Sequence, residues 1–123
     1  MEANELRIGN LVYTKFSDKA VKVKSVNWIP QFEYYIVFAD DAINNIKHIN
    51  PIQITEEWMK RLGFIVFKDA LFGMTEYRKG SFTLDGKFLE NGYGQVNTYP
   101  IEYIHQLQNL YFALTGNELI VGE

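Results

Sequence analysis

The sequence carries few residues that could do covalent chemistry. It has no cysteine among its 123 residues, which excludes disulfides, thiolate metal sites and cysteine nucleophiles. Its two histidines, His48 and His105, lie far apart in the chain, and no serine stands in a G-x-S-x-G context. The glycines lack the spacing of a P-loop or of a dinucleotide-binding turn. We therefore predict no catalytic residues, with a group assembled around either histidine as the open alternative.

A metal site is also not predicted. Asp40, Asp41 and His48 could converge around one loop, and carboxylate and imidazole groups are common metal ligands. Their spacing matches no recognised ligand set, and a pair of aspartates is typical of a solvated turn. We expect neither a metal nor a cofactor.

Lysines and aromatic residues alternate in the N-terminal part of the chain. Lys22 and Lys24 lie close in sequence to Trp28, Tyr34 and Tyr35. Basic groups beside exposed rings form the stacking platforms that bind single-stranded nucleic acid. The net charge of −3 and the isoelectric point near 5.4 argue against that use. We favour the interpretation that these five residues contact a partner protein, since aromatic residues dominate interface hot spots. Tyr93 and Tyr99 are further aromatic candidates for such contacts.

Two polar residues of the C-terminal segment are further candidates for ligand or partner contact. Helical periodicity places Gln108 on the apolar side of a predicted helix, where its amide needs hydrogen-bond partners. His105 lies at the border of that apolar side. An internally satisfied polar group is the simpler interpretation of both residues.

The pattern predicts an α+β fold. Residues 6–54 read as four or five short strands, including the dense β-forming run FEYYIVF at 32–38 and a bend at Gly9-Asn10. Such strands suit an N-terminal SH3-like small barrel or a twisted antiparallel sheet. We expect one compact domain, 1–123, with a β-rich half at 1–54 and an α+β half at 55–123.

The second half is predicted to hold a short helix, a hairpin-containing sheet and a long terminal helix. Thr55 and Gly63 are the expected caps of the short helix. FIVF at 64–67 reads as a buried strand, and Asp85-Gly86 favours a type I′ hairpin turn. The long helix is expected from Pro100 to Leu114 with Gly116 beyond its end, and residues 119–121 are expected to form a last strand.

Three blocks of the sequence resemble a known family. They are LRIGNLV at 6–12, PIQITEEWMKRLGF at 51–64 and IEYIHQLQNLYFALTG at 101–116. The family consists of small uncharacterised proteins encoded by gut anaerobic bacteria and by their phages and mobile elements. It has no assigned activity, so the resemblance implies a context, that of a phage or mobile-element accessory protein. Small proteins of that kind often block a host factor or sequester a nucleotide signal used in antiviral defence.

Three functions follow as hypotheses. The first is a non-catalytic binding protein that acts on a host protein, with a counter-defence role and with homo-oligomerisation left open. The second is sequestration of a small nucleotide, which needs an aromatic pocket and basic groups such as Lys22, Lys24, Arg61 or Arg78. The third is nucleic-acid binding through the N-terminal lysine ribbon of Lys15, Lys19, Lys22 and Lys24. No apolar run approaches the length of a membrane span and no signal peptide is visible, so we expect a cytoplasmic protein.

Overall fold

The computed structural model describes residues 1–15, 17–31, 33–71 and 73–122. Within these ranges there are nine strands: β1 Leu11–Thr14, β2 Val21–Ile29, β3 Glu33–Phe38, β4 Ile43–Asn45, β5 Ile49–Asn50, β6 Ile65–Lys68, β7 Thr75–Lys79, β8 Phe82–Asp85 and β9 Phe88–Glu90. Two α-helices accompany them, α1 Glu56–Arg61 and α2 Ile104–Thr115, with short 3-10 turns at Ala3–Glu5 and Ile46–His48. These elements divide into two units, 1–53 with 103–118, and 54–102 with 119–123.

The first unit is built on a five-stranded antiparallel sheet of order β4-β3-β2-β1-β5. Its buried apolar cluster consists of Leu6, Val12, Val23, Ile36, Phe38 and Ile49, with Val21, Val26 and Ile46 packed against it. The pairing of β2 with β3 shifts between Val23 and Ser25, which leaves Lys24 as the extra residue of a bulge. Because side chains alternate along a strand, the bulge resets which later residues of β2 share a face with the core.

Helix α2 belongs to the first unit and begins later than its sequence pattern predicts. Residues 100–103 are not helical: Tyr103 is extended and forms a β-bridge with Gln53, and the Ile104 N–H donates to the Ile52 carbonyl. The Gln106 side chain accepts from the Tyr103 N–H at 3.1 Å and so caps the helix from inside. The expectation of a start at Pro100 is therefore wrong. The expected end is confirmed, since Gly116 is left-handed at φ 73°.

The second unit opens on α1, whose predicted caps are confirmed. The Thr55 hydroxyl accepts from the Trp58 N–H at 3.2 Å. At the other end Gly63 has φ 88°, its N–H donates to the Lys60 carbonyl, and the Phe64 N–H donates to the Met59 carbonyl. Those two bonds define a Schellman motif. All of this information is local, within ten residues of sequence.

The four-stranded antiparallel sheet of the second unit has the order β6-β7-β8-β9. The predicted hairpin forms, but its two-residue turn is Gly86-Lys87, because Asp85 pairs directly with Phe88. Only Gly86 of this pair has a positive φ, which is the sign pattern of type II′, so the type I′ expectation is wrong.

Two other expectations for the second unit are corrected. The strand predicted as buried at 64–67 is the edge strand β6, with exposed Ile65 and Phe67. Residues 119–121 form no strand: Leu119 is buried, and the Gly122 N–H that follows donates to the Arg61 carbonyl.

The prediction of an α+β fold is confirmed in its broad form. Both sheets are antiparallel, and within the described ranges neither closes into a barrel. The helix-bearing segment 103–118 joins the first unit, whereas the sequence pattern had placed it with residues 55–102. The single domain at 1–123 stays a prediction. Phe32, the first residue of the predicted strand at 32–38, lies outside the described residues.

Candidate partner-binding surface

Two of the predicted contact residues are brought together at the end of the β2–β3 hairpin. Trp28 of β2 lies directly opposite Tyr34 of β3. The next pair on the same face is Val26 with Ile36, and Ile36 is fully buried. The aromatic pair therefore continues the core face beyond the core, where Trp28 is 57% and Tyr34 43% exposed. Cross-strand aromatic pairs of this kind are held in place by the sheet.

Tyr35 lies on the opposite face of the same hairpin end. There it lines a groove of about 420 Å³ together with Ile29, Ile43 and Asn45. Ile43, on the edge strand β4, is 65% exposed. Ile29 and Ile43 were not predicted from the sequence. They lie beside Tyr35 because of the β-bulge at Lys24 and the pairing of β3 with β4. No local sequence signal reveals that register.

The lysines occupy the other end of β2. The Lys24 ammonium donates to Asp41 at 2.7 Å, and this hydrogen bond holds the pKa of the Asp41 carboxyl below its usual value. Lys22 pairs with Leu11 of β1, and its charge helps the nearby Arg7 to lower the pKa of Glu118. Lys24 and Trp28 lie four positions apart along β2, a distance of about 13 Å. The predicted lysine and aromatic residues thus do not form one cluster.

Gln108 is buried and its amide is used by the backbone. Its side-chain oxygen accepts from the Leu11 N–H at 2.9 Å, and its nitrogen donates to the Gly9 carbonyl at 3.4 Å. The predicted need for partners is confirmed, and these partners fix the start of β1 on α2. Its use as a ligand contact stays a prediction.

His105, one turn earlier on α2, is equally buried, with 1% of its surface exposed. Neither ring nitrogen has a hydrogen-bond partner among the described residues, and the nearest ion-pairing atom is Glu5 Oε1, 3.6 Å from Nε2. Burial lowers the pKa of this imidazole, and the Glu5 carboxylate partly opposes that effect. The sequence placed the residue at a helix border and gave no sign of its burial.

A polar network surrounds these residues and links two of the resemblance blocks. Arg7 pairs with Glu118 through both terminal nitrogens and lies 4.2 Å above the Phe112 ring. Asn109 accepts from the Arg7 Nε and from the Asn10 amide, and its own amide donates to the Glu5 carbonyl at 2.8 Å. Polar residues of segments 6–12 and 101–116 are therefore used in holding the N-terminal segment on α2.

The two arginines considered for nucleotide binding lie in the second unit and already have partners. The Arg61 guanidinium stacks over the Trp58 ring at 4.1 Å. Arg78 donates to Glu76 at 2.8 Å and lies 4.2 Å above the Phe67 ring. Arg78 is therefore paired with a carboxylate, whereas Arg61 is packed against an aromatic face and keeps its charge.

Among the described residues, no three His, Cys, Asp or Glu side chains are grouped to hold a metal ion. In the same ranges, no helix has the length and apolar character to span a membrane.

Comparison with known proteins adds no relative. No protein-family model matches the chain, no curated protein matches it, and no solved structure matches it.

Proposed function

We propose that this chain is a non-catalytic binding protein and that its partner is a protein. The contact region, which we call the hairpin end, has Trp28 and Tyr34 on one face and Ile29, Tyr35 and Ile43 on the other. The single observation that carries the proposal is the directly opposed, exposed pair of Trp28 and Tyr34. Large rings held rigid by a sheet bury much area on binding at little entropic cost.

The composition of the hairpin end supports a protein rather than a nucleic acid or a nucleotide. All five residues are apolar or aromatic and none is charged, as in the core of a protein interface. A phosphate-bearing ligand needs cations at its site, and the nearest lysine along β2, Lys24, lies about 13 Å from Trp28 and is paired with Asp41. Nucleotide sequestration and nucleic-acid binding therefore remain as outcomes of the test.

The resemblance of the three blocks supports a context for this partner. We propose a host protein as the target of a phage or mobile-element accessory protein, with a counter-defence role. This part of the proposal is independent of the geometry, which concerns only the kind of surface that is recognised.

The finer fold description belongs to the same proposal. The five-stranded sheet places the first strand between the second and the fifth, and a 3-10 turn separates the fourth from the fifth. This connectivity supports an SH3-like open barrel for the first unit. Small β-barrels commonly present loops and hairpin ends as binding surfaces on a rigid scaffold.

The test is partner capture in a host cell followed by measured affinity. Protein with a photo-crosslinking residue at Gln31, an exposed turn position between Trp28 and Tyr34, identifies the partner, and the purified partner is then titrated against unmodified protein. We expect Trp28→Ala with Tyr34→Ala to weaken binding at least ~30-fold, the effect of losing about 2 kcal/mol at a hot spot.

The matched control replaces two exposed tyrosines of the second unit, Tyr93→Ala with Tyr99→Ala. This variant should bind within about threefold of the parent. Equal affinity of the hairpin-end variant and the parent would refute the proposal. So would purification of the protein with a bound nucleotide, seen as a raised 260 nm absorbance, or salt-sensitive binding to nucleic acid that is lost in Lys22→Glu with Lys24→Glu.

A further inference from the structure

His105 stands out among the buried groups because neither ring nitrogen has a hydrogen-bond partner among the described residues. Its two neighbours in the polar network, Gln108 and Asn109, are both hydrogen-bonded to backbone. Buried polar atoms without a partner are rare in folded proteins and call for an explanation. The Tyr103 ring stacks on the imidazole with centroids 5.9 Å apart and an angle of 11° between the planes.

The group that faces His105 belongs to the N-terminal 3-10 turn. Glu5 accepts from the Glu2 N–H through Oε2, at 2.6 Å. Its other oxygen, Oε1, points toward the imidazole at 3.6 Å from Nε2. Glu5 therefore links the stability of the turn Ala3–Glu5 to the state of a side chain on α2. Ala3 and Leu6, on either side of Glu5, are buried.

We propose that the buried imidazole of His105 is a proton-sensitive latch for residues 2–10 on α2: burial of the ring disfavours its charged form, and the facing Glu5 carboxylate offsets that only in part. The latch is closed when the imidazole is neutral, and uptake of a proton by the ring loosens the N-terminal segment. This device goes beyond the proposed function, because it concerns a different surface of the first unit and holds whether or not the hairpin end binds a protein.

The charges around the ring determine the direction of the effect. Burial lowers the pKa of His105, the Glu5 carboxylate raises it, and the α-amino group of Met1 acts in the same direction as burial. The phenol of Tyr103 is the remaining titratable group against the ring. Burial is the largest influence, so the folded state holds its proton less tightly than the unfolded state.

The sign of the pH dependence follows. Because the folded pKa lies below the unfolded value of about 6.5, the contribution of His105 to stability is complete above that pH. It declines as the pH falls from about 6.5 toward the folded pKa, since the unfolded chain takes up the proton first. The pair between Arg7 and Glu118 is a second attachment of the same segment. The pKa of Glu118 lies below its ordinary 4.5, so this pair persists when the latch has loosened.

The experiment combines two measurements on the intact chain. Proton NMR gives the titration of the His105 ring in the folded chain and in the urea-unfolded chain. Amide exchange of residues 2–11 is compared at about pH 7.5 and about pH 5, after correction for intrinsic rates. We expect the His105 ring to titrate at lower pH in the folded chain than in the unfolded chain. Between those two pKa values, the protection of the amides should fall by about tenfold for each unit by which the pH is lowered.

Two variants test the proposal: the first changes the group that faces the His105 ring, and the second is a control at the other histidine. Glu5→Gln removes the carboxylate that favours the charged ring, so the folded His105 should titrate at still lower pH than in the parent. His48→Gln, at the exposed second histidine, should leave the exchange of residues 2–11 unchanged at both pH values. A folded pKa at or above the unfolded one overturns the proposal. The same holds for an unchanged titration in Glu5→Gln, or for exchange of residues 2–11 that is independent of pH.

Discussion

At the scale of single residues, the polar side chains of the first unit are used in holding backbone rather than in presenting chemistry. Gln108 forms hydrogen bonds with the backbone of Leu11 and Gly9, and Asn109 forms one with the backbone of Glu5. The need of Gln108 for partners could be predicted from helical periodicity alone. The identity of those partners could not, because they lie about a hundred residues away and no local pattern encodes such a distance.

Replacement of Gln108 by leucine should therefore destabilise the chain. The apolar side chain fills a similar volume, but it leaves the Leu11 N–H buried without an acceptor, at a cost of about 1–3 kcal/mol. Urea unfolding measures the change. Gln31→Leu at an exposed turn position is the control and should stay within about 0.5 kcal/mol. Equal stability of the two variants would mean that water replaces the amide.

At the scale of secondary-structure elements, the caps of α1 were predicted correctly and the start of α2 was not. The caps were predictable because Thr55 and Gly63 act within one turn of the helix. The start of α2 was not predictable, because Tyr103 is extended and bridges Gln53, which lies far away in sequence. A helix-start signal in sequence thus fails when a distant strand pairs with the same backbone.

Gly63→Ala tests the C-terminal cap of α1. Alanine at φ 88° strains the backbone, and its Cβ would lie 2.5 Å from the Lys79 ammonium, which donates to the Leu62 carbonyl. We expect a loss of about 1–2 kcal/mol in the free energy of unfolding.

Gly122→Ala is the matched control, because its Cβ would meet the Arg61 carbonyl at an ordinary 3.8 Å and its φ is not left-handed. It should change stability by less than about 0.5 kcal/mol. A Gly63→Ala variant as stable as this control would show that the cap contributes nothing.

At the scale of the whole molecule, the sequence predicted the α+β class but not the grouping of its parts. The chain passes between the two units at residues 53–54, 102–103 and 118–119. Composition and spacing show no linker at these points, so no sequence boundary marks them. The candidate surface was predictable in part: Trp28, Tyr34 and Tyr35 were identified, while Ile29 and Ile43 depend on strand register.

The single-domain prediction can be tested with the two tryptophans, since Trp28 lies in the first unit and Trp58 in the second. We expect Trp28→Phe and Trp58→Phe, each with one remaining reporter, to show the same urea midpoint by fluorescence and by far-ultraviolet circular dichroism. Coincident transitions are the signature of one cooperative unit. In each variant, the fluorescence midpoint is compared with the circular dichroism midpoint of the same variant. Fluorescence midpoints that differ between the two variants would show two independent domains.

The attachment of residues 2–10 to α2 has a consequence for synthesis on the ribosome. The hydrogen bonds of Arg7 with Glu118 and of Leu11 with Gln108 cannot form until more than ninety further residues have been translated. The first unit therefore cannot complete its native structure while α2 is still inside the exit tunnel, even though its five strands have already emerged. We therefore expect the sheet edges to be open to other chains during that interval, which is when a chaperone would protect this protein most.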